Sequence, residues 1–183
     1  DPAESIAEFL RAQDPSRHNW ISSHLWKENR RQSQNWTGAS TIIIDVDYED
    51  DAGTHFPLPD EVKTLVEDAL KAGQFNANLA YFTPRGFRLI SVMGERTTCK
   101  KTYKRTFEKF CQSTDNVLTK LGVGAENSAG LKVDVNTGDL ARCMISPVAR
   151  VSGEAKSRQS DVLTMSNQLF NWESPVEHQP KPV

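Results

Sequence analysis

Two aspartates follow a run of β-branched residues in the stretch Thr41-Ile42-Ile43-Ile44-Asp45-Val46-Asp47-Tyr48. The short apolar run predicts a buried strand, central in a covered sheet. Since side chains alternate between the two faces of a strand, Asp45 and Asp47 should point to the same side. Neighbouring carboxylates repel each other, so a cation should lie between them unless one carboxylate is protonated. The pair therefore indicates a divalent-metal site at the end of the strand, with an aspartate pair in an exposed turn as the alternative.

Two further segments carry charges suited to phosphate chemistry. In Thr83-Pro84-Arg85-Gly86-Phe87-Arg88 the glycine permits a close approach of the backbone to a ligand, and the two arginines could hold phosphate oxygens. A plain hairpin with exposed arginines is the alternative. Asp134 emerges from an apolar strand and is followed by Arg142 and Arg150. A strand-end aspartate of this kind is a candidate metal ligand, although such a residue is more often a turn cap.

A basic segment follows the second of these patterns. Lys101, Arg105 and Lys109 recur at positions i, i+4 and i+8 of a predicted helix, with Lys104 beside them. Such a face could track a nucleic-acid backbone. A solvated helix face is the alternative. Acidic residues are concentrated elsewhere, because the segment from Asp45 to Asp68 holds nine acids and a single lysine.

Three carboxylates at separate strand ends, accompanied by several arginines, suit phosphoryl transfer. Two metal ions roughly 4 Å apart would hold the attacking and leaving oxygens, while arginines neutralise a triphosphate. A ligand set made only of oxygens favours Mg²⁺ or Mn²⁺ over Zn²⁺.

The length and composition suit one globular domain, or one domain with a small appendage. The chain has 183 residues, of which 37% are hydrophobic and 25% charged, and its formal net charge of −2 argues against a strongly basic protein without excluding a local basic patch. Cys99, Cys111 and Cys143 form no CxxC pair, which is typical of a reducing compartment. No apolar run approaches the ~20 residues of a membrane span, and no signal peptide is visible. We therefore expect a cytoplasmic protein with no membrane partner.

Periodicity predicts strands that alternate with helices. Asp1 should cap the first helix, Asp60 should cap the second, and Gly73 should end the second. This alternation predicts an α/β (α+β) domain over residues 1–153, which could extend to residue 174, and a polar tail over residues 175–183. The predicted helices cover residues 1–13, 58–72 and 99–121; the predicted strands cover 19–26, 41–48, 78–83, 87–93 and 131–135.

The order and spacing of these segments resemble the archaeo-eukaryotic primase superfamily, in particular the primase-polymerase domains of phage and plasmid replication proteins. The first motif of that family, hydrophobic residues before Asp-x-Asp, is similar to Ile43-Ile44-Asp45-Val46-Asp47. Its second motif, a glycine turn followed by a histidine, is similar to residues 83–89, where Arg88 stands in the histidine position. Its third motif, a hydrophobic residue and an aspartate before an arginine-containing segment, is similar to residues 131–134 and 139–150.

The resemblance implies an RRM-like central sheet packed with a small α/β subdomain and flanking helices. It implies a DNA primase/polymerase that replicates a phage, plasmid or other mobile element. Its partners would be an NTP or dNTP, a single-stranded or primed DNA template and, in a longer chain, a helicase. Asp45, Asp47 and Asp134 would bind catalytic Mg²⁺ or Mn²⁺. The predicted nucleotide-binding residues are Arg85, Gly86, Arg88, Arg142 and Arg150, and the predicted nucleic-acid-binding residues are Lys101, Lys104, Arg105 and Lys109.

Arg88 is a departure from the family pattern with chemical consequences. An arginine can hold a phosphate but cannot donate a proton near neutral pH. Nucleotide binding therefore remains expected, whereas the catalytic details would differ. Two other hypotheses stay open, a non-catalytic nucleic-acid-binding domain of a replication initiator and a metal-dependent nuclease, which also needs clustered carboxylates.

Overall fold

A computed structural model describes residues 1–27, 30–124, 129–149 and 158–172. The predicted domain boundary at residue 153, Arg150 and the predicted tail lie outside these ranges. In the described part of the chain the helices are α1 (Pro2–Arg11), α2 (Asp60–Lys71) and α3 (Lys100–Lys120). The strands there are β1 (Trp20–Ile21), β2 (His24–Trp26), β3 (Trp36–Glu49), β4 (Leu79–Thr83), β5 (Gly86–Thr97), β6 (Gly130–Val133), β7 (Met144–Ile145), β8 (Val148–Ala149), β9 (Arg158–Gln159) and β10 (Val162–Thr164).

The helix ends follow local chemistry. Asp1 caps α1 as predicted, because its Oδ1 accepts a hydrogen bond from the Ala3 N–H at 2.9 Å. The prediction that Asp60 caps α2 is wrong: Pro59 holds the cap position with extended backbone, and Asp60 is the first helical residue, where its charge favours the helix N-terminus. Gly73 ends α2 as predicted, in the left-handed conformation with a φ of 68°. No helix of the described residues is both long and apolar enough to cross a membrane.

The main sheet is antiparallel throughout. Its strand order is β10, β4, β5 and β3; beyond β3, β2 lies beside the first half of that strand and β6 beside the second half. Two smaller ribbons pair β1 with β7 and β8 with β9. The expected mixed α/β class is thus confirmed, with antiparallel sheets.

β5 extends to Thr97, beyond the predicted end at residue 93, and β6 ends at Val133 instead of residue 135. Two further differences follow from strand pairing. The predicted strand over residues 19–26 is divided into β1 and β2, because β1 pairs with β7 whereas β2 pairs with β3. β3 is longer than the predicted residues 41–48, since its first residues also pair with β2. Pairing partners from distant parts of the chain set both boundaries.

Both faces of the main sheet are covered, as the run Ile42-Ile43-Ile44 predicts. Ile42 and Ile44 lie in the larger core with the apolar faces of α2 and α3. Ile43 lies on the opposite face, in a smaller core with Ala7 and Leu10 of α1. Buried residues on both sides explain why this strand shows a continuous apolar run instead of alternation.

One buried polar side chain, His24, packs among aromatic residues of the larger core. His24 is 4% exposed, and its Nδ1 accepts a hydrogen bond from Trp36 Nε1 at 3.0 Å. The imidazole ring lies edge-on to Tyr103, with 4.7 Å between ring centroids. Burial lowers the pKa of His24 to about 4, so the ring is neutral at pH 7.

Candidate active site

The second half of β3 carries acidic side chains on one face of the sheet. Asp45, Asp47 and Glu49 follow Ile43 at alternate positions and therefore share its face. Ile43 is buried in the smaller core beneath α1. The three acidic residues instead line a cavity of about 760 Å³, which we call the acidic cavity. The carboxylates thus lie on the part of this sheet face that opens into the acidic cavity, next to the part that the smaller core covers.

Asp45 is at the centre of a charged row that crosses three strands. Arg88 of β5 is directly opposite Asp45 in the strand register. Asp134, which follows β6, is opposite Asp45 on the other side, and its N–H donates to the Asp45 carbonyl at 2.9 Å. Residues directly opposite in antiparallel strands have their side chains on the same face. The register therefore brings together three residues from distant segments.

Arg88 supplies a cation beside Asp45. Its Nε and Nη2 donate to the two carboxylate oxygens of Asp45 at 2.9 and 3.0 Å. The side chains of Arg88 and Asp45 are only 12% and 8% exposed. A two-pronged contact of this kind is the strong form of an arginine–carboxylate pair. The positive charge that the sequence predicts beside Asp45 is thus supplied by Arg88 of the protein itself.

The remaining nitrogen of Arg88 also has partners. Its Nη1 donates to the Ile145 carbonyl at 2.7 Å and lies 3.4 Å from the Tyr81 hydroxyl. Burial lowers the pKa of Arg88, but Tyr81 and Asp45 raise the pKa more, so the guanidinium is firmly charged. Arg88 is predicted to hold a phosphate, yet here each of its three guanidinium nitrogens already contacts the protein.

Asp134 links the end of β6 to an arginine. Its Oδ1 accepts a hydrogen bond from the Asn136 N–H at 2.9 Å and so caps the 3₁₀ turn over Val135–Gly138. Its Oδ2 accepts a hydrogen bond from Arg142 Nη2 at 3.3 Å. The Arg142 side chain is 47% exposed. Exposed pairs contribute little, about 0–1 kcal/mol, so Arg142 can exchange Asp134 for another anion easily.

The side-chain contacts of Asp47 are longer than those of Asp45. The Nδ1 atom of His55 is 3.8 Å from Asp47 Oδ2 and 3.6 Å from Glu49 Oε2. Burial, and then the negative charge of Asp45, raise the pKa of Asp47; His55, Arg85 and Arg88 act in the opposite direction. The protein therefore compensates the Asp47 carboxylate only in part, and an additional cation beside it would be stabilising.

Cations surround these carboxylates in the acidic cavity. Arg85 is exposed in the two-residue turn between β4 and β5. Lys132 of β6 is opposite Asp47, and its Nζ donates to the Asp50 carbonyl at 2.7 Å. The charged residues and histidine that line the cavity are Asp45, Asp47, Glu49, His55, Arg85, Arg88, Lys132, Asp134 and Arg142.

Sequence reasoning missed three of these residues. Continued alternation along β3 could have identified Glu49, and alternation along β6 could have placed Lys132 on the face of Asp134. His55 has no comparable signal, because a loop returns it to pair with Glu49 across an isolated bridge.

Gly86 approaches the backbone of a neighbouring strand. A Cβ atom at Gly86 would lie 1.8 Å from the Val46 carbonyl oxygen. The glycine therefore lets β5 run close to β3, which keeps Arg88 opposite Asp45. Arg150, another predicted nucleotide-binding residue, lies outside the described residues.

The donor set suits a hard divalent cation by its chemistry, because carboxylate oxygens are the ligands that Mg²⁺ and Mn²⁺ prefer. Its geometry does not converge. Within the described ranges, no group of three or more His, Cys, Asp or Glu side chains is placed to hold a metal ion. Asp45 and Asp134 contact Arg88 and Arg142 instead. Coordination by Asp45, Asp47 and Asp134 therefore requires side-chain rearrangement, and the metal stays a prediction.

The basic face of α3 lies beside a second cavity. The apolar stripe of α3 is buried and includes Tyr103, Phe107 and Phe110. Lys104 lines the second cavity, of about 750 Å³, which shares Arg142 with the acidic cavity. Glu108 and Asp115 line it too, so its charge is mixed. The four residues of the predicted nucleic-acid face are all exposed: Lys101, Lys104, Arg105 and Lys109.

Comparison with known proteins gives one structural similarity. No protein-family model matches the chain, and no curated protein matches it. The chain is similar to the AEP domain of the cyanophage S-2L primase-polymerase, with 8% sequence identity and a TM-score of 0.48, over 92% of this chain and 91% of that chain.

Proposed function

We propose that the chain is the catalytic domain of a DNA primase/polymerase, which joins an NTP or dNTP to a 3′-hydroxyl on a DNA template in a metal-dependent reaction. The observation that carries this proposal is the grouping of four carboxylates, three of them the predicted metal ligands, with several cations around one cavity. Its volume of about 760 Å³ lies within the range of about 300–1,000 Å³ typical of small-molecule sites. Nucleotidyl transfer needs this pairing of metal-binding acids with phosphate-binding cations.

Asp45, Asp47 and Asp134 are the residues that would hold Mg²⁺ or Mn²⁺. A bound divalent ion would supply positive charge to the reacting phosphate oxygens. The partly compensated carboxylate of Asp47 supports this assignment, since an added cation would offset its burial and its repulsion from Asp45.

Three arginines would bind the phosphates in this proposal. Arg85 is exposed at the cavity rim, and Arg142 can exchange its exposed contact with Asp134 for a phosphate oxygen. Arg88 holds Asp45 in a fixed orientation. To contact a phosphate as well, Arg88 Nη1 would exchange the Ile145 carbonyl for a phosphate oxygen.

Nucleic acid would extend from the acidic cavity toward α3. Exposed Lys101, Lys104, Arg105 and Lys109 would contact the template or primer backbone, and the cavity beside Lys104 adjoins the proposed site. In this proposal the main sheet has an RRM-like arrangement. The protein would act in the cytoplasm, in the replication of a phage, plasmid or other mobile element. The domain would include residues 158–172, because β10 pairs with β4 and Phe170 and Trp172 are buried in the larger core.

A non-catalytic nucleic-acid-binding domain of a replication initiator is the second candidate. The two-pronged contact of Arg88 with Asp45 favours it, because that contact engages both carboxylate oxygens that a metal would need. The dispersed donor geometry favours it as well, since the described residues hold no converged metal-binding group.

Incorporation of labelled dNTP and NTP on primed and unprimed single-stranded DNA, with Mg²⁺ or Mn²⁺, tests the proposal. Asp47→Asn keeps the size of the side chain, and we expect it to reduce incorporation by about 100-fold or more, the loss typical of removing one electrostatic contact to a transition state. The matched control is Asp68→Asn, which removes a carboxylate on α2 that does not line the acidic cavity. It should leave incorporation unchanged.

Other outcomes separate the candidates. Binding of DNA by the folded wild-type chain without any incorporation would favour the initiator domain. Degradation of DNA in the absence of nucleotides would indicate a nuclease. Unprimed product that depends on Asp47 would show that the domain starts chains as well as extending them.

A further inference from the structure

An exposed tryptophan is paired with a residue that lines the acidic cavity. Trp20 is 55% exposed and belongs to β1. In the ribbon of β1 and β7 it is directly opposite Ile145. Ile145 lines the acidic cavity, and its carbonyl accepts the hydrogen bond from Arg88. The register therefore fixes Trp20 beside the wall of the proposed site.

The ribbon presents Trp20 to solvent. The neighbouring pair in the ribbon is Ile21 opposite Met144, and both side chains pack in the smaller core. Because successive residues of a strand point to opposite faces, Trp20 and Ile145 occupy the outward face. Burial of the Ile21 and Met144 pair holds that orientation in place.

Cations accompany Trp20 along the same wall. The Arg31 side chain is exposed, and the neighbouring Cys143 side chain raises the pKa of its guanidinium. Arg142 is the adjacent residue, and its backbone carbonyl accepts a hydrogen bond from Ser22 Oγ, two residues beyond Trp20, at 2.9 Å. Two guanidinium groups and an exposed indole thus gather around residues 142–145, at the mouth of a cavity proposed for nucleotides.

We propose that Trp20 is a stacking platform for an unpaired base of a single-stranded polynucleotide, with Arg31 and Arg142 contacting its phosphates. An aromatic ring beside cations is the combination that binds single strands without sequence preference, since every base has a face that can stack. The inference rests on the proposed function, because it assigns the strand that enters the proposed site. It adds a contact surface to the basic face of α3.

Binding of fluorescein-labelled oligo-dT, oligo-rU and a blunt DNA duplex, followed by fluorescence anisotropy without nucleotides or metal, tests the inference. We expect Trp20→Ala to weaken single-strand binding about tenfold, since a stacked base contributes that much or more. Leu65→Ala is the matched control, because Leu65 is 47% exposed on α2, which packs on the other face of the sheet. Comparable affinities for oligo-dT and oligo-rU would identify the stacking surface as common to both nucleic acids.

Two readouts separate stacking from a merely structural role. Oligo-dT should quench the tryptophan fluorescence of the wild type more than that of Trp20→Phe, because Trp36 and Trp172 are buried and Trp26 is half-buried. Arg31→Gln should reduce the slope of log affinity against log salt by about 0.7, the value for one phosphate contact to a single strand. The melting temperature of each variant should equal that of the wild type.

The outcomes distinguish this inference from the proposed function. Unchanged oligonucleotide affinity in Trp20→Ala, or tighter binding of duplex than of single strand, would overturn the stacking role even in an active polymerase. Affinity that depends on Trp20, in a protein that incorporates no nucleotide, would retain the stacking role and reject the catalytic proposal.

Discussion

Replacing Arg88 with methionine should destabilise the protein by about 3–5 kcal/mol. The substitution removes two hydrogen bonds to Asp45, at 2.9 and 3.0 Å, and leaves a carboxylate side chain that is only 8% exposed. Hydrogen bonds to charged groups contribute about 1.5–3 kcal/mol each, so two of them give about 3–6 kcal/mol. Removing one partner of a buried ion pair loses a similar amount, about 3–5 kcal/mol, since the other charge stays buried.

Urea unfolding of a double-mutant cycle measures this coupling. Asp45→Leu combined with Arg88→Met removes both charges, and this double variant should recover much of the stability lost in each single variant. Arg96→Met is the matched control on the same strand: Arg96 donates to the Thr37 carbonyl at 2.7 Å in an exposed position, and we expect a change of at most about 1 kcal/mol. Strictly additive effects of the two single substitutions would refute the reasoning, because the charges would then be independent.

Two further predictions concern the core and the strand register. Burial lowers the pKa of His24 from 6.5 to about 4, so the unfolded chain takes up this proton at a higher pH than the folded chain. The free energy of unfolding should therefore be constant above pH 6.5 with respect to this group. It should fall by about 3 kcal/mol as the pH drops toward 4, at 1.36 kcal/mol per pH unit. Urea unfolding across this range should show a flatter pH profile for His24→Gln, and identical profiles would contradict the assignment. Gly86→Ala should destabilise the chain by about 1–3 kcal/mol or more, because its Cβ would meet the Val46 carbonyl at 1.8 Å. Gly94→Ala on the same strand, where the nearest atom is 3.7 Å away, should stay within about 0.5 kcal/mol in the same assay; equal losses would show that the contact with Val46 is not the cause.

Local patterns were sufficient to single out several of the charged residues that line the acidic cavity, including Asp45, Asp47 and Arg85. Asp45 and Asp47 share a face because alternation along a strand depends on neighbouring residues alone. The turn at Pro84 and Arg85 and the buried stripe of α3 follow from equally local rules. These features depend only on residues close together in the chain and not on tertiary contacts, so they can be predicted from the sequence directly.

The partners of these residues could not be predicted in the same way. Arg88 faces Asp45 because of the register between β3 and β5, which shifts once between Ala39 and Thr41. No residue type in the sequence indicates that shift in register, since the shift arises from packing of the whole sheet. His55 reaches Glu49 through the return of a loop, which leaves no periodic pattern in the sequence.

The register that aligns Arg88, Asp45 and Asp134 also limits how this chain can change in length during evolution. Inserting or deleting a single residue within β3, β5 or β6 would turn the following side chains to the opposite face. A charge from the acidic cavity would then enter the larger core beneath α2 and α3. Insertions and deletions in natural variants should therefore accumulate in the connections, such as residues 50–59 and 73–78, and be rare within these three strands.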